Sequence, residues 1–104
     1  MTNFRFIYVG IRVRDMQESL DFYTKVFQMQ IADKLERTEP TKGQVVTLKS
    51  PASNQLLELN YYEEGSKFGS EYKNGGELDH LAFAVENLLE TDEELRQKGI
   101  EIVA

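Results

Sequence analysis

The segment from Leu78 to Val103 repeats an earlier one, and that repeat constrains the fold more than any other feature of the chain. Slid back so that Leu78 falls on Phe6, LDHLAFAVENLLETDEELRQKGIEIV overlies FIYVGIRVRDMQESLDFYTKVFQMQI. Val85 then meets Val13, Asn87 meets Asp15, Leu88 meets Met16 and Glu90 meets Glu18. Both copies read as an alternating strand, a helix capped by an Asx residue and a second strand. A recurring unit of this kind is one supersecondary module used twice.

The first copy shows how the module is built. In Arg5 to Val13, Ile7, Val9, Ile11 and Val13 point one way, and Tyr8, Gly10 and Arg12 the other. Asp15 is placed to cap the next helix, with Glu18 three residues on in the capping-box position. Met16, Ser19, Leu20, Tyr23, Val26 and Phe27 recur at helical spacing, which predicts an amphipathic helix to about Phe27. Met29 to Arg37 reads as a strand with a wet face or edge, and Thr38 to Gly43 as a turn. Gln44 to Lys49 and Gln55 to Tyr62 are further strands, separated by a turn at Ser50 to Asn54. The module is βαβββ.

Glu63 to Gly76 is rich in glycine and serine and lacks apolar periodicity, so it reads as a connector. In the second copy Leu81, Phe83 and Val85 form the greasy face, opposite His80, Ala82 and Ala84. Asn87 caps the next helix, Gly99 suits its left-handed end, and Ile100 is expected to open a strand. The expected architecture is α+β, with paired βαβββ modules, the second incomplete in this chain. As domains, residues 1–104 form one unit: module one at 1–62, a connector at 63–76 and a partial module two at 77–104.

Composition narrows the functional classes. A domain of 104 residues buries roughly two-thirds of its unfolded surface. A formal charge of -6 argues against nucleic acid, which demands a basic face. With no cysteine, a metal could be held only by oxygen and nitrogen ligands. The start, MTNFRFIYVG, has no basic stretch leading into an apolar one, and no apolar run is long enough to cross a membrane. A soluble, cytoplasmic protein without a membrane partner is expected.

Strand phase then collects the candidate site. The greasy faces should pack on the helices, leaving the opposite faces to line a concave surface. That surface gathers Tyr8, Gly10 and Arg12, then Glu58, Asn60 and Tyr62, then His80 with Ala82 and Ala84. The repeat makes Tyr8 and His80 mates and puts the mate of Glu58 beyond Ala104. The small residues Gly10, Ala82 and Ala84 are expected to leave room for a ligand. His80 is either a metal ligand or a hydrogen-bonded strand histidine. Glu58, flanked by leucines, needs a partner or a task, and Arg12 across the sheet is the simplest partner. Tyr8, Tyr61 and Tyr62 are either substrate contacts or ordinary strand aromatics.

IRVRDMQESLDFYTKVFQMQI, LLELNYY and LDHLAFAVENL together resemble, in order and spacing, segments of the vicinal oxygen chelate superfamily. That superfamily includes glyoxalase I, bleomycin-resistance proteins, extradiol dioxygenases and epimerases, and the first segment is similar to the lactoylglutathione lyase pattern. The resemblance implies a divalent metal, Zn or Ni, held by two side chains from each module. Glu58 matches the fourth-strand carboxylate ligand and His80 the fifth-strand imidazole; in this chain Glu58 is also the catalytic candidate. Tyr8 stands where His or Gln is expected, and the last ligand, a glutamate credited in the family with moving the substrate proton, would lie beyond Ala104. Arg12 matches an arginine that binds a glutathione carboxylate, Tyr62 replaces an assisting asparagine, and Gln28 stands where the helix ends with Gly. Arg12, Tyr8, Tyr62 and Asn60 are the implied substrate-binding set. The implied function is a glyoxalase I-like, metal-dependent lyase acting on a small vicinal-oxygen substrate such as a hemithioacetal. The alternative is a metal-free protein that binds or sequesters a small molecule, as bleomycin-resistance proteins do. An open-edged second sheet adds the expectation of a homodimer.

Overall fold

The computed structural model describes residues 2–37, 42–63 and 77–103. Their elements run β1 (Arg5–Arg12), α1 (Met16–Lys25), β2 (Gln30–Arg37), β3 (Gly43–Lys49), β4 (Leu56–Tyr62), β5 (Leu78–Ala84) and α2 (Leu88–Gln97). Residues 64–76 of the connector expected at 63–76, and residues 38–41 of the expected turn, lie outside the described residues.

Local chemistry starts and stops both helices. Asp15 Oδ1 accepts the Glu18 amide at 3.0 Å, and Asn87 Oδ1 accepts the Glu90 amide at 3.0 Å. Each bond satisfies one of the orphan donors of a first turn. At the end of α2, the Gly99 amide donates to the Arg96 carbonyl and the Ile100 amide to the Leu95 carbonyl. Gly99 itself takes φ 81, so this is a Schellman ending. α1 ends less comfortably. Its left-handed residue is Gln28 at φ 58, a conformation in which a Cβ costs energy that glycine avoids.

The five strands form one mixed sheet in the order β2-β3-β4-β1-β5. β1 lies parallel to β4 and antiparallel to β5, so the first strand of the chain joins the two copies of the repeat. In register, Val9 and Ile11 stand beside Leu57 and Leu59, while Gly10 and Arg12 stand beside Glu58 and Asn60. The greasy row faces α1. Val13, Met16, Leu20, Val46, Leu48 and Leu59 make the core, with Ile11, Tyr23, Met29, Leu57 and Tyr61 packed around it. Leu48 and Leu59 are fully enclosed, and each contributes about 1.5–3 kcal/mol of burial. β2 is an edge strand, as its charge suggested, with Asp33 and Lys34 in its middle.

Three expectations are corrected. α1 stops at Lys25, and Val26 and Phe27 are exposed beyond it, because the helical spacing continues in sequence after the helix has ended. Residues 100–103 form no strand. Leu81 and Phe83 are each about half exposed, so the greasy face of β5 is not packed on α2 as that of β1 is packed under α1. Phe83 instead stacks on Phe6, with ring centroids 5.0 Å apart.

Candidate functional site

β4, β1 and β5 lie side by side and bring Glu58, Gly10 and His80 into one row across the sheet. Period-two alternation puts all three on the face away from α1. There Glu58 Oε1 lies 3.2 Å from His80 Nε2. The Tyr8 hydroxyl lies 3.4 Å from the same nitrogen, and the two rings meet edge-on. The structure therefore brings together Tyr8, Glu58 and His80. Glu58 is nearly enclosed, while the His80 side chain is 37% exposed and reaches the surface.

Gly10 makes this close approach feasible. A Cβ there would sit 2.5 Å from His80 Cε1 and 2.7 Å from Nδ1. The room expected for a ligand above Gly10 is occupied by the imidazole ring. Glycine is needed because a side chain crosses it.

The other sequence candidates sit around this centre. Arg12 lies two residues further along β1, about 7 Å from Gly10 on the same face. Its guanidinium stands 5.7 Å from the centroid of the Tyr62 ring, within cation–π range. Asn60 is drawn inward: it is 2% exposed, and its amide donates to the Ile11 carbonyl at 3.4 Å. It ties β4 to β1 and leaves almost no side-chain surface for a substrate.

Asp79 belongs to the cluster although strand phase assigns it to the greasy face with Leu81 and Phe83. Gly10 pairs with His80 and Ile11 with Leu78, so Asp79 is an extra residue on β5. Such a bulge re-aims a side chain. Asp79 Oδ1 comes to 3.2 Å from His80 Nδ1, and Oδ2 accepts the Tyr62 hydroxyl at 2.5 Å. The signal available in the sequence was an acid at an apolar position beside the only histidine.

The donor chemistry of the cluster can be tested against a metal ion. A neutral imidazole has one N–H, and ionised carboxylates only accept. With Asp79 on one ring nitrogen and Glu58 on the other, a neutral ring can satisfy only one of them. The second contact calls for another positive charge, either a proton or a cation. Donor atoms 3.2 Å apart also match the separation of neighbouring ligands at about 2.0–2.2 Å from one ion. The pair fits. Among the described residues no three His, Asp or Glu side chains group around one point, so a full shell needs donors besides Glu58 and His80, such as the Tyr8 oxygen or water.

Comparison with known proteins agrees with this architecture. The family model of the Glyoxalase/Bleomycin resistance protein/Dioxygenase superfamily matches residues 5–104. The chain belongs to that superfamily. Among curated vicinal oxygen chelate proteins it is 31% identical over 102 residues to a lactoylglutathione lyase of Escherichia coli O157:H7, covering 91% of this chain and 68% of that protein. It is 31% identical over 99 residues to a lactoylglutathione lyase of Arabidopsis thaliana, covering 93% of this chain and 33% of the relative. Among solved structures of the superfamily, methylmalonyl-CoA epimerase from Mycobacterium tuberculosis shares the fold, with a TM-score of 0.82 at 22% identity, over 96% of this chain and 67% of that one. No helix among the described residues is long and apolar enough to cross a membrane.

Proposed function

We propose that this superfamily member is a glyoxalase I-like, metal-dependent lyase acting in the cytoplasm on a small substrate with vicinal oxygens, such as a hemithioacetal. The observation that carries the reading is the convergence of Glu58 Oε1 and His80 Nε2 at 3.2 Å on the open face of the sheet. Glu58 and His80 would hold a divalent ion such as Zn or Ni, with Tyr8 contributing an oxygen beside them. A cation held there supplies Lewis-acid polarisation of the substrate's oxygens. The carboxylate of Glu58 is the candidate base: it takes a proton from the carbon bearing one oxygen and returns it to the neighbouring carbon, so no atoms are gained or lost overall. Arg12, whose guanidinium lies over the Tyr62 ring, would anchor an anionic group of the substrate. The likeness to lactoylglutathione lyases supports the reaction class.

One observation favours a second reading. Glu58 and His80 contact each other directly, and Tyr8 is a weak ligand because a neutral phenol oxygen is a poor donor to a cation. A metal-free protein that binds a small molecule would need nothing more. Titration calorimetry with Zn or Ni separates the two. Binding that is abolished in His80→Ala and Glu58→Gln, and strengthened in Tyr8→His, supports the metalloenzyme. No heat from the native chain, or no gain in Tyr8→His, gives the place to the binding protein. The working form is proposed to be a homodimer, because β5 offers a sheet edge beside the exposed Leu78, Leu81 and Phe83.

A further inference from the structure

We infer that Asp79 is the positioning residue of the site, locking His80 in the tautomer that turns its Nε2 lone pair toward Glu58 and Tyr8. The inference rests on the reading of His80 as a ligand, but it is carried by an independent feature, the bulge in β5. Regular pairing would send Asp79 to the face it would share with Leu81 and Phe83. The extra residue at this point turns it toward the imidazole instead. A bulge gives up local ladder pairing, and what this one obtains is a carboxylate 3.2 Å from Nδ1.

The consequence for the ring follows from donor and acceptor counting. Both carboxylates can only accept, but the hydrogen-bond geometry distinguishes them. Nδ1 is bonded to Asp79, whereas Nε2 is bonded to the Tyr8 hydroxyl, which can donate, and meets Glu58 only as a charge contact. The proton of a neutral His80 is therefore assigned to Nδ1. Free imidazole side chains prefer the proton on Nε2, so this is a tautomer the protein has to impose. With Nδ1 committed, the Nε2 lone pair faces the Tyr8 hydroxyl and the edge of Glu58. A carboxylate behind a ligating imidazole fixes the ring's orientation and raises its basicity. Asp79 is itself held, because the Tyr62 hydroxyl donates to its other oxygen. Tyr62 also carries the Arg12 guanidinium above its ring. The anion anchor and the ligating nitrogen are therefore connected through Tyr62 and Asp79. The absence of a side chain at Gly10 leaves the space that the ring fills.

The chain contains one histidine, so its imidazole signals can be read without assignment ambiguity in untagged protein. Nitrogen-15 NMR of the metal-free protein, at a pH well above the ordinary histidine range, distinguishes the tautomers directly. The native chain should show the proton on Nδ1. Asp79→Ala should move it to Nε2 and weaken Zn binding by about 10–100-fold. Tyr62→Phe, which removes only an oxygen, should shift the tautomer in the same direction by a smaller amount. This milder variant keeps the test open should Asp79→Ala fail to fold. A native chain with its proton on Nε2, or an unchanged tautomer in both variants, overturns the inference. The two proposals fail separately. Zn binding that needs Glu58 and His80 in a chain with the Nε2–H tautomer removes the role of Asp79 alone. An Asp79-dependent Nδ1–H tautomer in a chain that binds no metal removes the metalloenzyme alone.

Discussion

α1 and α2 are the same helix written twice, and they meet different fates. Each has ten residues, an Asx cap bonded at 3.0 Å to the amide three positions on, and an acid in the first turn. α1 buries Met16 and Leu20 against β3 and β4. α2 carries Leu88 and Leu89 at the matching end, exposed by 75% and 83%, and its one buried residue is Thr91. A helix of this length is marginal by itself in water. Caps decide where it begins and ends; what lies across from it decides how much it contributes. α1 has a sheet beneath it. α2 is held at its edge by Thr2, whose amide reaches Glu94 and whose hydroxyl lies 3.2 Å from that of Thr91.

The contrast is most easily broken in the cores of the two helices. Leu20→Ala should destabilise the chain by about 2–4 kcal/mol in urea unfolding, because the cavity opens between α1 and the sheet. Leu89→Ala should change stability by no more than about 0.5 kcal/mol. Equal losses would mean that another surface covers α2 in solution, and a concentration dependence of the Leu89→Ala effect would identify that surface as a second copy. A smaller effect separates the helix ends. Gly99→Ala should cost about 1 kcal/mol, since its φ of 81 suits glycine. Gln28→Gly at φ 58 should instead raise the melting temperature, by up to about 1 kcal/mol of stability. If both changes destabilise, the side chain of Gln28 has a role that outweighs its backbone strain.

The smallest effect is one of pH. A hydrogen bond from the Thr2 side chain, aided by the Thr2 amide and the charges of Lys98 and the N-terminus, holds the Glu94 carboxyl below the ordinary glutamate value despite some desolvation. A depressed folded-state value adds stability above the unfolded-state carboxylate range, and that stability is lost as pH falls through the folded value. Glu94→Gln should therefore leave a slightly flatter acid limb when urea midpoints are compared from neutral pH downward. An unchanged limb would show that the contact between Thr2 and Glu94 adds nothing to the hold on α2.

What could be read from the sequence was what depends on neighbours in sequence. The caps at Asp15 and Asn87 are bonds over three residues, and the facing of Glu58, Arg12 and His80 follows from alternation within uninterrupted stretches. The position of Gln28 stood out only through the family resemblance, as a place where the helix is expected to end with glycine. Asp79 was hidden because a one-residue bulge reverses strand phase, and a bulge is set by how two distant strands fit together. The same limit applies to Gly10: its smallness was legible, but the ring that fills the space comes from β5. Asn60 shares the face of Glu58 by phase, yet it turns to the Ile11 carbonyl once β4 lies beside β1. The exposure of Leu81, Phe83 and Leu88 was equally beyond periodicity, which marks a face as apolar without saying what covers it.

The place of β1 between β4 and β5 has a consequence for how the molecule is made. Its partners arrive late: Asn60 bonds to Ile11 across 49 residues, and His80 reaches Tyr8 across 72. A ribosome releases β1 long before either of its neighbours in the sheet exists. Pairings over such spans close large loops before any contact rewards them, which slows folding. Until β4 arrives, Phe6, Ile7, Val9 and Ile11 form an open apolar strand able to pair with a neighbouring nascent chain. The imidazole joins only when β5 docks, so refolding followed by the Tyr8 and His80 resonances should report the last event of assembly rather than the first.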